Sequence, residues 1–103
     1  MNIYECVFIL NSSISIKEVY KTYKKVKDFL VSTNGIVLKK EYWGLRSLSY
    51  NIKNNNSGHY IFFKIQIDVK LIHLIKKELI INQLVIKFLI VKICTSKFYF
   101  STQ

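Results

Sequence analysis

This chain of 103 residues has no proline, only three glycines, two cysteines and one tryptophan. No stretch is dominated by Pro, Gly or Ser and half the residues are hydrophobic, which excludes a linker or a disordered tail and favours a packed globule. Three glycines leave no Gly-rich loop to cradle a phosphate. Cys6 and Cys94 lie far apart with no C-x-x-C spacing, so neither a disulfide framework nor a zinc knuckle is encoded, and a reducing cytosol fits best. His59 and His73 have no Cys, Asp or Glu at metal-ligand spacing, and no Ser-His-Asp or Cys-His arrangement is present. No metal, cofactor or catalytic site is therefore expected, and the chain is not expected to be an enzyme. Residues Met1 to Leu10 lack a basic segment followed by a long apolar run. The apolar C-terminal half is interrupted by Asn82, Gln83, Lys87 and Lys92, well short of the roughly 20 residues that span a bilayer. The expectation is a protein that is neither secreted nor membrane-spanning.

Acidic residues are also scarce. Sixteen Lys plus Arg stand against six Asp plus Glu, for a net charge of +10. A surface of that sign meets phosphate, in nucleic acid or in anionic lipid. Arg46 is the one arginine, while Asn and Ile are abundant, a bias that AT-rich codons produce by themselves. Charge as function and charge as compositional drift both remain open at this point.

The length suits one core, and the elements follow in a simple order. Ile3 to Leu10 is a short apolar run ending at Asn11-Ser12-Ser13, which predicts a buried strand. Ser15 precedes Glu18 at capping-box spacing, and Ile16, Val19, Tyr20, Tyr23, Val26 and Leu30 recur at helical intervals up to Asn34-Gly35, a natural stop. Lys17, Lys21, Lys24 and Lys25 form the other side of this helix, either a solvated face or an RNA-facing stripe. Ile36 to Tyr50 predicts a long strand with a bulge at Gly44, and Asn54 to Gly58 predicts the turn that returns it as Tyr60 to Asp68. Asp68 is placed to cap a helix over Val69 to Ile81, with Leu71, Leu74, Ile75 and Leu79 on one face, and Leu84 to Cys94 follows as the last strand.

The order βαββαβ is the ferredoxin-like, α+β arrangement, a four-stranded antiparallel sheet with two helices on one face. One domain over residues 1–94 is expected, with a short loose tail at 95–103. Two helices cover only one face of such a sheet, yet the strands are apolar on both. Ile61, Phe63, Ile65 and Ile67 fall on one face of the third strand, with Tyr60 and Phe62 on the other. In the fourth strand, Ile86, Phe88 and Ile90 fall opposite Val85, Leu89 and Val91. An open apolar and aromatic face predicts a binding surface.

The segment Glu41-Tyr42-Trp43-Gly44-Leu45-Arg46-Ser47-Leu48-Ser49-Tyr50-Asn51-Ile52 resembles the signature of the bacterial small-subunit ribosomal protein S-six family, acidic-x-Trp/Leu-Gly-x-Arg-x-Leu-x-Tyr-Pro-Ile. Tyr4-Glu5, Gly58-His59-Tyr60, Asn82 and Val85 to Leu89 support the resemblance, which runs from about residue 3 to 94. Asn51 stands where the pattern has Pro, and Lys87 where Arg is common. The resemblance implies a non-enzymatic constituent of the small ribosomal subunit, in a bacterial cytoplasm or an organelle. It further implies binding to the central domain of small-subunit rRNA together with the eighteenth small-subunit protein.

Arg46 is the first candidate for an RNA contact, because its planar fork pairs with phosphate and stacks on bases; the alternative is an ion pair with Glu41 or Asp28. Lys87 and Lys92 are candidates at one rim of the sheet, and Lys39 with Lys40 at another; ordinary solvated charge is the competing account for each. Trp43 and Tyr50 are candidates for stacking on bases, or else packing residues. Tyr4, Tyr60, Phe62 and Phe88 are candidates for the protein partner surface, or else core. Cys6 and Cys94 fall on adjacent strands, compatible with buried thiols or a bond. Two other functions fit the topology. A free RNA-recognition module would need a Lys/Arg-Gly-Phe-Gly-Phe pattern where Gly58-His59-Tyr60-Ile61-Phe62 stands, and an acylphosphatase-like hydrolase would need a Gly-rich loop and Arg where Asn11-Ser12-Ser13-Ile14 stands.

Overall fold

The computed structural model describes residues 2–93. Strand β1 (Asn2–Asn11) leads to helix α1 (Ile16–Ser32), then to β2 (Ile36–Ile52), β3 (Asn55–Ile67), α2 (Ile72–Ile81) and β4 (Val85–Ile93). The four strands pair antiparallel in the order β2-β3-β1-β4, with both helices packed on one face, which is the ferredoxin-like βαββαβ fold. The tail at 95–103 and Cys94 lie outside the described residues.

The limits of α1 follow from local chemistry. Ser15 Oγ accepts the Glu18 amide at 3.2 Å, satisfying one of the first-turn donors. At the other end Asn34 turns left-handed (φ 63°), and the Gly35 amide reaches back to the Leu30 carbonyl at 2.9 Å, a Schellman closure. A Cβ on Gly35 would sit 2.8 Å from that carbonyl, so the closure needs glycine. The buried stripe of α1 is Val19, Thr22, Val26 and Leu30. Ile16 and Tyr20, expected on that stripe, are exposed instead, and Thr22 takes the inward position.

Asp68 Oδ1 accepts the Lys70 amide at 3.0 Å, but the turn it caps is a 3-10 turn over Val69–Leu71 and not the start of α2. Helix α2 then buries Ile72, Ile75 and Leu79. These residues and the α1 stripe meet Tyr4, Cys6, Phe8 and Leu10 of β1, and Ile61, Phe63, Ile65 and Ile67 of β3, in one core. Phe8 and Phe63 stack at 5.7 Å at its centre.

Two expectations about the strands are corrected. The β2–β3 connection is a tight hairpin at Lys53 and Asn54, both left-handed (φ 48° and 66°), and 55–58 already belong to β3. Buried Asn55 holds this turn by donating to the carbonyls of Ile52 (3.3 Å) and Lys53 (3.0 Å). Its Oδ1 accepts from the amide and hydroxyl of Ser12 at 3.1 and 2.8 Å, tying the turn to the β1–α1 connection. Gly58 is a strand residue whose missing side chain makes room for Ile9 and the Leu10 carbonyl. In β4 a register shift opposite Ile9 and Leu10 breaks the alternation. Val85 therefore joins the core on the same side as Phe88 and Ile90, with Ile86 on the other side near Gly58.

Candidate functional site

The face of the sheet away from the helices carries Ile3, Glu5, Val7 and Ile9 of β1. Beside them stand Tyr60, Phe62, Lys64 and Gln66 of β3 and Lys87, Leu89 and Val91 of β4, by strand register. Leu89 is 59% exposed and Val91 48%, so an apolar strip lies open to solvent along β4.

Strand β2 brings the aromatic and cationic side chains to this face. Its register slips between Tyr42 and Gly44, and Gly44 adopts φ 89°, a conformation that a side chain would strain. The slip turns Trp43 and Arg46 to the same face. The Trp43 ring lies parallel to Phe62 (5.3 Å between centroids, 10° between planes), and the Arg46 guanidinium sits 5.5 Å from the Trp43 centroid. Arg46 Nε donates to the Trp43 carbonyl at 3.1 Å, and Trp43 Nε1 donates to Glu41 Oε1 at 3.2 Å. The result is an indole stacked on a phenyl ring with a guanidinium in cation–π contact with the indole, all on the open face of the sheet. Arg46 forms no ion pair among the described residues; the close pair there is Lys39 with Glu41 at 3.9 Å.

Beyond Ser47 the strand bulges again, and Leu48 to Ile52 curl over β1 and β4. Lys87 Nζ donates to Tyr50 Oη at 2.9 Å and lies 5.3 Å from the Tyr50 ring centroid. The hydrogen bond to the Tyr50 hydroxyl raises the pKa of Lys87. Under this latch runs a groove of about 230 Å³ walled by Val7, Ile9, Leu48, Tyr60 and Leu89.

Not every residue singled out in the sequence meets here. Lys39 lies on the open face across from Lys64, which sequence reasoning had not singled out. Lys92 pairs with Tyr4 and faces the helix side, opposite to Lys87, because five positions separate the two lysines. Lys40 pairs with Phe63 and also points to the helix side. Tyr60 is on the open face and so is Phe62, though buried beneath Trp43, whereas Tyr4 is buried in the core and Phe88 pairs with Phe8 on the helix side. Cys6 is a free, buried thiol, and burial pushes its pKa up to about 12. His59 is buried with Nδ1 2.8 Å from Tyr42 Oη.

The family profile described as ribosomal protein S6 matches residues 3–92. The chain belongs to the ribosomal protein S6 family. The small ribosomal subunit protein bS6 of Rickettsia prowazekii (strain Madrid E) is 37% identical over 92 residues, covering 89% of this chain and 76% of that protein. The bS6 of Paramagnetospirillum magneticum is 33% identical over 93 residues, covering 90% of this chain and 65% of its own length. A crystal structure of 30S ribosomal protein S6 from Thermotoga maritima superposes with a TM-score of 0.86 at 22% identity, covering 98% of this chain and 92% of that one. That likeness shows the S6 fold. The S6 family is one of structural ribosomal proteins, and this member belongs to the small subunit. No helix among its described residues is long and apolar enough to cross a membrane. On the S6 scaffold of this chain, the signature segment of β2 is the part that forms the stack, the second bulge and the Tyr50 latch.

Proposed function

We propose that this chain binds the central domain of small-subunit rRNA together with the eighteenth small-subunit protein, and that the open face of the sheet serves both contacts. The observation that carries this reading is the stack of Arg46 on Trp43 on Phe62 beside an exposed apolar strip. A guanidinium held 5.5 Å over an indole, with only its Nε engaged, keeps its outer N–H groups available, which suits a base near it and a phosphate beside it. Lys87 and Lys39 stand on the open face, in place to meet phosphates that position a protein without reading sequence; Lys92, on the helix side of the edge strand β4, is left to meet one only at the rim. Tyr50 carries Lys87 and closes the groove. Tyr60, with Leu89 and Val91, supplies the surface for the protein partner; Phe62, buried beneath Trp43, supports that face, and Tyr4 and Phe88 act behind it as packing. The chain works by holding its neighbours together in a ribosome of bacterial cytoplasm or of an organelle, and turns over no substrate.

Trp43 is the one tryptophan in the chain, so its emission reports directly from this face. Titration with a transcript of the rRNA central domain should change that emission, and should do so at lower RNA concentration when the partner protein is present. Binding of neither the transcript nor the partner, singly or combined, overturns the proposal.

A further inference from the structure

On the helix side of the sheet a cleft lies between α1 and the turn that leads from α2 into β4. The fold divides the lysines of α1 between this cleft and open solvent. Lys21 and Lys25 line it together with Glu18 and Thr22, at spacings that put all four on one side of the helix, while Lys17 and Lys24 sit further round. Asn82 and Leu84 form the opposite wall. Thr22 is 5% exposed and makes the floor. The space is about 250 Å³, where a single water needs only roughly 10–15 Å³, so the cleft admits a sugar-sized group. Asn82 Oδ1 accepts the Leu84 amide at 3.0 Å, which fixes that side chain and leaves its Nδ2 as the donor for a ligand.

The lining mixes two cations with a carboxylate, a hydroxyl and an amide, and this mixture decides between ligands. An acidic peptide would meet Lys21 and Lys25 but set its own carboxylates against Glu18. A flat lipid surface does not enter a cleft between a helix and a turn. An RNA backbone alternates an anion with a hydroxyl: its phosphate suits the lysines, and its 2′-hydroxyl can donate to Glu18 and accept from Asn82. We propose that this cleft is a second RNA-binding site, seating one ribose–phosphate unit with the phosphate against Lys21 and Lys25 and the 2′-hydroxyl on Glu18. It holds backbone and reads no sequence. It lies across the sheet from Arg46 and Trp43, and it stands whether or not the open face binds RNA.

The test is an amide chemical-shift titration of the isotope-labelled full chain with a short oligouridylate, and with an oligodeoxyuridylate of the same length at the same salt. Amides of Lys21, Thr22, Lys25 and Leu84 should move with both. The affinity read there should be roughly fivefold tighter for the RNA, the worth of one hydrogen bond. The double variant Lys21→Gln/Lys25→Gln should weaken it about tenfold, because two charges beside the phosphate are lost. The control Lys17→Gln/Lys24→Gln removes the same charge from the same helix and should weaken it far less. Glu18→Gln separates the proposal from simple charge: loss of a negative charge tightens RNA and DNA alike, whereas loss of the carboxylate acceptor brings the two affinities together. Three results overturn the proposal: no movement at these amides, equal loss in the two double variants, or a preference for RNA that is absent in the parent chain or unchanged in Glu18→Gln.

Discussion

Asn55→Ala is expected to be the most damaging substitution of a polar side chain in this chain, because this one buried residue at the start of β3 fastens two connections. It makes four hydrogen bonds, two donated to the Ile52 and Lys53 carbonyls and two accepted from Ser12. Each is worth roughly 1 kcal/mol net, and a buried donor left without a partner costs about 1–3 kcal/mol. The Ser12 hydroxyl can rotate toward water, while its amide is fixed by the backbone, so we expect a loss of about 2–3 kcal/mol. For a domain of this size that corresponds to a fall in Tm of roughly 10–20 °C. Urea unfolding followed by far-UV circular dichroism measures it, with an unchanged m-value showing that the two states themselves are the same. Asn55→Asp keeps the acceptor for Ser12 but loses both donated bonds and sets a carboxylate beside two carbonyls, so it should be no more stable than the alanine variant. A loss below about 0.5 kcal/mol for Asn55→Ala would refute the reasoning and show that the hairpin turn stands without this tie.

Three further outcomes follow from named contacts. Gly58→Ala drives a Cβ into Ile9 and to 3.0 Å from the Leu10 carbonyl, so stability should fall by about 1–3 kcal/mol in the same urea assay. The Cys6 thiol has its native pKa raised to about 12 against an ordinary value of 9.0, so the unfolded chain releases this proton first as pH rises. Its contribution is whole below pH 9.0 and is lost between there and about 12, at up to about 1.4 kcal/mol per pH unit, and Cys6→Ala should remove that part of the alkaline slope. Trp43→Ala removes the middle of the stack on Phe62, and affinity for the rRNA central domain should fall by roughly tenfold, while Arg46→Lys, which keeps the charge, should recover only part of the loss of Arg46→Ala in the same filter-binding assay.

How much of this was legible in the sequence depends on how far apart the deciding atoms lie. The ends of α1 were readable because Ser15, Glu18, Asn34 and Gly35 act on their own neighbours. The inward side of that helix was less so: Ile16 and Tyr20 look apolar enough for the core, but their angle on the helix leaves them at the surface and hands the place to Thr22. The hairpin turn was misplaced because Asn54 to Gly58 is rich in turn formers. Those residues serve other ends, Asn55 bonding Ser12 and Gly58 admitting Ile9, neither visible without the fold.

The site shows the same division. Alternation of the strand puts Trp43 and Arg46 on opposite faces, since an even number of positions is needed to share one. The slip at Gly44 brings them together, so the glycine was a visible sign of a bulge whose consequence for the stack was not. Alternation alone separates Lys87 from Lys92 and Lys39 from Lys40, and the structure does so. Tyr4 looks like Tyr60 in a sequence, but it sits on the helix-covered side of β1 and belongs to the core.

The central claim is that the open sheet face holds this S6-family chain in the small subunit by apolar contact as well as charge. Its most direct test is sedimentation of the tagged chain from its own cells through a sucrose gradient, in low and then moderate salt. Retention on the small subunit in both, and release by Leu89→Ser combined with Val91→Ser, both exposed on the open face, is the predicted result. A chain that leaves the subunit as soon as salt is raised, or that the double variant leaves fully bound, contradicts the claim.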